Sequence, residues 1–149
     1  MSSKHDARSL RQVVVVRDLQ RLASEGSAAR AASMLSARQD AQRESERVRT
    51  SAEENWRATL SAPSFPLDMA LLWSSALLRR EEELGRAARD VQGAAGELRR
   101  RAADWHAAVS RRDVAEDMAR KAEKDRARKG DETALQDALD LHGLRRRDG

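Results

Sequence analysis

The chain has 149 residues, of which 36% are charged and only 3% aromatic, and it contains no cysteine. This composition is typical of long helices and coiled coils, and it excludes a sheet-based fold or a disulfide framework. The 29 basic and 25 acidic residues leave a net charge of only +4, with both signs interspersed. Nucleic-acid binders concentrate positive charge and interleave aromatic residues, so nucleic acid is not an expected partner.

The first predicted element is a long helix over about residues 9–60. Ser9 and Gln12 resemble a capping box, in which a hydroxyl and an amide satisfy free backbone groups. Gly26 weakens the helix by roughly 1 kcal/mol, so we expect a soft spot there and not a break. Apolar residues at coiled-coil spacing predict a buried seam made of Val15, Leu19, Leu22 and Ala29, then, with a drift in phase, Ala41, Val48, Ala52, Trp56 and Leu60.

Residues 61–65 interrupt the helical pattern. Of the only two prolines of the chain, Pro63 lies within this stretch and Pro66 directly follows it. A residue that precedes proline is disfavoured in the helical region. Phe65 therefore suits the N-cap of a second helix, with Pro66 at its first position and Asp68 in its first turn. Such a short connection joins antiparallel neighbours, so the expected fold is all-α, a single two-helix antiparallel coiled-coil hairpin.

The second helix is predicted over about residues 66–129, and its apolar residues keep a strict heptad spacing. Extrapolating this spacing backward leads to Ala70. Alanine fills most of one side of the seam, which lets two helices approach closely. The predicted seam consists of Leu77, Leu84, Ala88, Val91, Ala95, Leu98, Ala102, Trp105 and Val109.

Beyond this seam the apolar phase changes. Ala115, Met118 and Ala122 form a stripe in another register, which predicts a stutter. Gly130 offers a helix stop, after which residues 131–144 form a short further helix capped by Asp131. A direct continuation of the second helix to about Leu144 fits the sequence equally well.

Apolar side chains gather at the turn of the hairpin, in numbers that a two-helix seam cannot bury. Two interpretations stay open: a local cluster that seals the end of the hairpin, or a patch that docks a partner. Trp56 lies on the opposite helix at this level. This group, called the tip cluster, comprises Phe65, Leu67, Met69, Leu71, Leu72 and Trp73.

The sequence contains no recognisable catalytic, cofactor-binding or metal-binding motif. His5, His106 and His142 are isolated, and the glycines near residue 95 follow no strand and so do not form a phosphate loop. The apolar runs at 13–16 and 69–73 are far shorter than the ~20 residues that a membrane span needs. We therefore expect a non-enzymatic protein without cofactor, metal or direct membrane insertion.

Three stretches are similar to the FliJ family of flagellar export proteins and its YscO-type counterparts in virulence-associated secretion. They are "SLRQVVVVRDLQ" at 9–20, the patterned "SAARAASMLSARQDAQRE" at 27–44, and "RKAEKDRARKGDETALQDAL" at 120–139. The last resembles the basic stretch ending in an Asp-Glu pair that closes many family members. The resemblance covers the whole chain in layout, but the early aromatic residue usual in the family is missing.

The resemblance implies a cytoplasmic, non-catalytic stalk at the inner-membrane export apparatus of a type III system. Its paired helix ends would enter a hexameric export ATPase ring, and other surfaces would contact the export-gate membrane protein and export chaperones. By this layout the gate contact would involve Phe65, Met69, Trp73 and Leu77. The ring contact would involve Leu10, Val13, Arg17, Arg126, Asp131, Glu132 and Leu135.

A generic coiled-coil scaffold that self-associates, with no ATPase partner, is the main alternative. A membrane-surface helix would need a sharply segregated basic face, which this chain lacks. The sequence does not distinguish flagellar from virulence-associated export.

Overall fold

A computed structural model describes residues 2–64 and 66–147, with side chains described for 6–64 and 66–143. Over these residues the protein is all-α: α1 spans Ser2–Leu60, α2 spans Leu67–Arg147, and the two helices pack against each other. This confirms the predicted fold class. The chain divides into two compact units, unit 1 from Met1–Ser24 and Trp105–Gly149, and unit 2 from Glu25–Asp104.

In unit 2 the two helices run antiparallel, as two interhelical ion pairs show. Arg49 Nε lies 2.6 Å from Glu81 Oε1, and Arg38 Nη1 lies 3.6 Å from Asp90 Oδ2. Residue numbers thus rise along α1 as they fall along α2. All the predicted seam residues of α2 that belong to this unit are half-buried, and Ala70 is 7% exposed. The half-buried positions of α2 in this unit thus include every predicted seam residue, together with several of their neighbours.

The connection between the helices is short and hydrogen-bonded at both ends. Ser61 N donates to Arg57 O (3.1 Å), which closes the last turn of α1, and Ala70 N donates to Pro66 O (3.0 Å), which opens α2. Asp68 lies in the first turn of α2, where a negative charge is favoured. The predicted N-cap, Phe65, lies outside the described residues.

The start of α1 differs from its prediction. The helix begins at Ser2 and runs through Ser9, so the capping box predicted at Ser9 and Gln12 is wrong. It continues through Gly26 without a break, as expected. The helix also continues through Gly130 in α2, so of the two alternatives for 131–144 the direct continuation is the one observed.

The register predicted for the first part of α1 is also wrong. Val15, Leu19 and Leu22 are 50–61% exposed, whereas Ala7, Val14 and Ala31 are at most 9% exposed. Farther along, Ala52 is buried and Val48 and Trp56 are half-buried as predicted, but Ala29, Ala41 and Leu60 are exposed. Several partly buried positions of α1 hold arginine, so apolar spacing alone does not mark the face that meets α2. Half-buried arginines on α1 are Arg11, Arg17, Arg21 and Arg49.

Unit 1 has a small core in which Val14 of α1 packs with Ala115 and Ala119 of α2, and Leu10 packs against this group. Of the predicted stripe, Ala115 is buried and Ala122 is half-buried, but Met118 is 54% exposed and Ala119 is fully buried in its place. Ala108, at 2% exposure, is more deeply buried than Val109 of the predicted seam, so the most buried positions of α2 do change phase near this point. The charged residues Arg112 and Glu116 are half-buried beside these alanines.

Candidate interaction surfaces

A charged clamp joins the two helices of unit 1. Arg11 Nε lies 2.6 Å from Glu123 Oε1, and its Nη2 donates a second bond of 2.8 Å to Oε2 of the same carboxylate. Its Nη1 donates to Glu116 Oε1 at 3.0 Å. A forked guanidinium held by two carboxylates is among the stronger and more directional polar contacts in proteins.

The titration behaviour of this clamp follows from its hydrogen bonds. Bonds from Arg11 lower the pKa of the Glu123 carboxyl, and bonds to Glu123 and then Glu116 raise the pKa of Arg11. A third interhelical contact, Arg112 Nε to Asp18 Oδ1 at 3.6 Å, lies beside it. Local spacing in the sequence does not reveal the clamp, because its members are 105 and 112 residues apart in the chain.

A shallow groove of about 320 Å³ lies beside this clamp, between α1 and α2 of unit 1. Its apolar members are strongly exposed: Val13 at 43%, Val114 at 59% and Met118 at 54%. Two arginines edge it, and Arg17 donates to the amide oxygen of Gln20 at 3.0 Å. This surface, called the unit 1 groove, is lined by Val13, Arg17, Ser110, Arg111, Val114, Ala115 and Met118.

Residues 126–143 of α2 form a second surface, called the exposed segment. Every side chain in it is exposed, including Leu135 at 64%, Leu139 at 63% and Leu141 at 64%. Contacts inside the segment are local, such as Arg128 Nε to Glu132 Oε1 at 3.7 Å.

The residues proposed for the ring contact therefore fall into two structural groups. On α1, Leu10 packs against the unit 1 core, while Val13 and Arg17 line the unit 1 groove. The remaining four all lie in the exposed segment, namely Arg126, Asp131, Glu132 and Leu135. All seven belong to unit 1.

The tip cluster is mostly open to solvent. Its exposed members are Leu67 at 60%, Met69 at 45%, Leu71 at 59% and Leu72 at 55%. Trp73 and Leu77 are half-buried, so Met69 is the exposed member among the described residues proposed for the gate contact, and Phe65 lies outside the described residues. Leu78, at 65% exposure, extends the same apolar surface and was missed because it lies one position off the seam.

Exposed large apolar side chains are distributed unevenly along both helices. Among the described residues, Met34 is the only one between 23 and 59, and none lies between 79 and 113. The large apolar residues of those middle stretches are half-buried in the seam instead, as at Leu84 and Leu98. Apolar surface is thus concentrated near the connection in unit 2 and on the helices of unit 1.

The described residues hold no cluster of three or more His, Asp or Glu side chains that could bind a metal ion. His106 stacks on Trp105 with ring centroids 5.3 Å apart. Among the described residues, neither helix has an apolar stretch long enough to cross a membrane. Comparison with known protein families, with curated proteins and with solved structures finds no match for this chain.

Proposed function

We propose that this protein is a non-catalytic stalk of a flagellar-type (type III) protein export apparatus, in the cytoplasm at the inner membrane. The observation that carries the proposal is the uneven distribution of exposed apolar side chains. A protein that couples two larger components needs an interaction surface for each of them and, between these, a surface that binds neither. Apolar patches on a soluble chain mark such interaction sites.

The surfaces of unit 1 are assigned to the export ATPase ring. They combine apolar side chains, such as Val13 and Leu135, with charges of both signs, such as Arg17 and Asp131. Apolar contact supplies most of the affinity, while the charges set orientation and the rate of encounter. The mechanism would be mechanical: an asymmetric pair of helices favours nucleotide binding or release at some ring interfaces over others.

The tip cluster is assigned to the export-gate membrane protein, with export chaperones as further partners of the apolar surfaces. Leu71 and Leu72, both more than half exposed, offer apolar area that no described part of the chain covers. Trp73 supplies an aromatic anchor, the side-chain type that dominates binding energy at interfaces.

The ATPase assignment is tested by steady-state hydrolysis and sedimentation, with the purified export ATPase of the same organism. The wild-type chain is expected to stimulate hydrolysis and promote hexamer formation. Asp131→Lys, in the exposed segment, should reduce the stimulation several-fold. Asp104→Lys, an equally exposed charge reversal in the middle of α2, should leave it unchanged. No stimulation by the wild-type chain would favour the generic scaffold instead.

The gate assignment is tested with Trp73→Ala and the cytoplasmic part of the gate protein. Trp73 is half-buried, so the variant should keep most of its helicity and lose binding. Trp56→Ala is the matched control, because Trp56 is also half-buried but lies on α1. If both variants lose binding and stability together, Trp73 is a packing residue and the docking patch loses its main support.

A further inference from the structure

We propose that two copies of this chain associate by exchanging their exposed segments, each segment packing into the unit 1 groove of the other copy. This inference is independent of the export apparatus, because both surfaces belong to the chain itself. It differs from self-association through the coiled-coil seams, which are already occupied within each copy.

The exposed segment is a helix that would gain stability by packing its apolar face against another surface. An isolated helix of this length is marginally stable in water, and most helical stability in proteins comes from packing of an apolar face. At about 100° per residue, Leu135, Ala138, Leu139 and His142 share one face. All four side chains are exposed.

The unit 1 groove complements this face in shape and chemistry. Its floor is apolar, formed by Val13, Val114 and Met118 between two helices. A third helix that lies between two packed helices buries its apolar stripe against both. Its lining on α2 runs from Ser110 to Met118, about 12 Å of helix at 1.5 Å per residue, which is room for two turns of a second helix.

The charges of the two surfaces are also complementary. Arg17 and Arg111 edge the groove, and neither forms an ion pair with a described residue. The chain as a whole has a net charge of +4, and the basic residues of the exposed segment are confined to positions 126–129. Residues 131–142, which carry the apolar face, hold four acidic residues and no lysine or arginine. An acidic helix beside two arginines without acidic partners is attracted, and like-charged occupants are disfavoured.

The geometry allows both contacts to form at once. In a two-fold dimer, if residue i contacts residue j, then j also contacts i in the other copy. Val114 and Leu139 are 25 residues apart, close to seven full turns at 3.6 residues per turn, so they lie on the same face of α2. Two antiparallel α2 helices can therefore place each Leu139 against the other copy's groove, with the two contacts about 38 Å apart.

Leu141 provides a matched control for this geometry. It is as exposed as Leu139, at 64% against 63%. It lies 27 residues from Val114, about seven and a half turns, so it points to the opposite side of α2. The exchange therefore predicts different roles for two leucines that are only two positions apart.

Cysteine cross-linking tests the pairing directly, because the chain has no cysteine of its own. Val114→Cys and Leu139→Cys are made as separate chains of different mass, mixed and oxidised. The expected main product is the disulfide between the two different chains. Replacing the Leu139→Cys partner with Leu141→Cys should abolish it. If Leu139→Cys chains instead link mainly to each other, the segments pair directly and the proposal is wrong.

Analytical ultracentrifugation supplies the second measurement. The wild-type chain is expected to sediment as a dimer that dissociates on dilution. Leu139→Glu places a charge against the apolar floor and should weaken the dimer by roughly tenfold or more. Leu141→Glu should leave it unchanged, and circular dichroism should show wild-type helicity for both. A wild-type chain that stays monomeric at all concentrations, or equal effects of the two variants, would overturn the exchange.

Discussion

Two neighbouring valines of α1 give the sharpest test of how its helices pack. Val14 is 9% exposed and lies in the unit 1 core, whereas Val15 is 60% exposed. The apolar spacing of the sequence predicts the reverse, with Val15 in the seam. The same substitution, valine to alanine, at adjacent positions therefore separates the two registers without changing the chemistry or the length of the helix.

The magnitudes follow from burial. Val14→Ala removes two methyl groups from a buried site, which costs about 1.6 kcal/mol at ~0.8 kcal/mol per buried carbon, before any cavity term. The higher helix propensity of alanine offsets roughly 0.5 kcal/mol of this loss. The expected net loss in free energy of unfolding is about 1–2 kcal/mol. At Val15 less than half of the side chain is covered, so about 0.6 kcal/mol is lost and the helix propensity cancels it.

Urea denaturation followed by circular dichroism measures both changes, with the slope m compared to verify that the same surface unfolds. Val14→Ala should lower the unfolding midpoint, and Val15→Ala should leave it within error of the wild type. If Val15→Ala proved the more damaging of the two, the apolar spacing would describe the packing better than the observed register, and the core of Val14, Ala115 and Ala119 would be refuted.

Three further predictions concern α2. Ala119→Leu adds three carbons at a fully buried site and should lower the free energy of unfolding by about 1–3 kcal/mol through overpacking. Ala107 is exposed, so Ala107→Leu should melt like the wild type. Equal melting of the two variants would contradict a close approach of the helices at Ala119. Arg11 lowers the pKa of Glu123 in the folded state, so this contribution to stability is present above the unfolded glutamate pKa of about 4.3 and is lost as pH falls through the folded pKa. The melting temperature of Glu123→Gln should therefore fall less steeply on acidification than that of the wild type, and parallel curves would contradict the clamp. Gly130 has open space around it and no positive φ, so alanine fits there and favours the helix. Gly130→Ala should therefore slow hydrogen exchange of the nearby amides by an amount equivalent to about 1 kcal/mol. Unchanged exchange would show that the helix is not populated there.

The packing of α2 was predictable because its seam consists of apolar residues. Leucine, valine, tryptophan and alanine recur at heptad spacing from Leu77 to Val109, and each of these residues is half-buried in the structure. Beyond Val109 the prediction was right for Ala115 and Ala122 but wrong for Met118, because Ala119 is the buried residue there. Both residues are apolar and adjacent, so spacing alone does not show which of them meets α1.

The register of α1 could not be read in the same way. Four consecutive valines, 13–16, offer an apolar residue to every phase of the helix. The deciding contacts are long-range: the two carboxylates of α2 that hold Arg11, and the alanines of α2 against which Val14 packs. Such contacts depend on how two distant segments align, which local spacing does not encode.

The candidate surfaces were predictable in part for the same reason. The tip cluster was visible because apolar residues there exceed what one seam can bury. The unit 1 groove was not, because Val114 and Met118 were assigned to no seam or to the wrong one. Leu139 and Leu141 were overlooked, since a short apolar stripe at the end of a helix looks like an ordinary continuation of it.

The allocation of residue types between core and surface connects stability with function. Among the described residues the most buried are alanines and one valine, while 17 large apolar side chains are exposed. Small side chains bury little area, so the seam alone contributes modest hydrophobic stabilisation. The larger side chains contribute only when a second molecule covers them, whether a partner or another copy.

A ligand that binds only the folded chain raises its apparent stability by mass action. The melting temperature should therefore rise with protein concentration if the segments exchange, and rise further with the export ATPase if the ring binds the same surfaces. A melting temperature that is independent of both would show that these side chains stay uncovered.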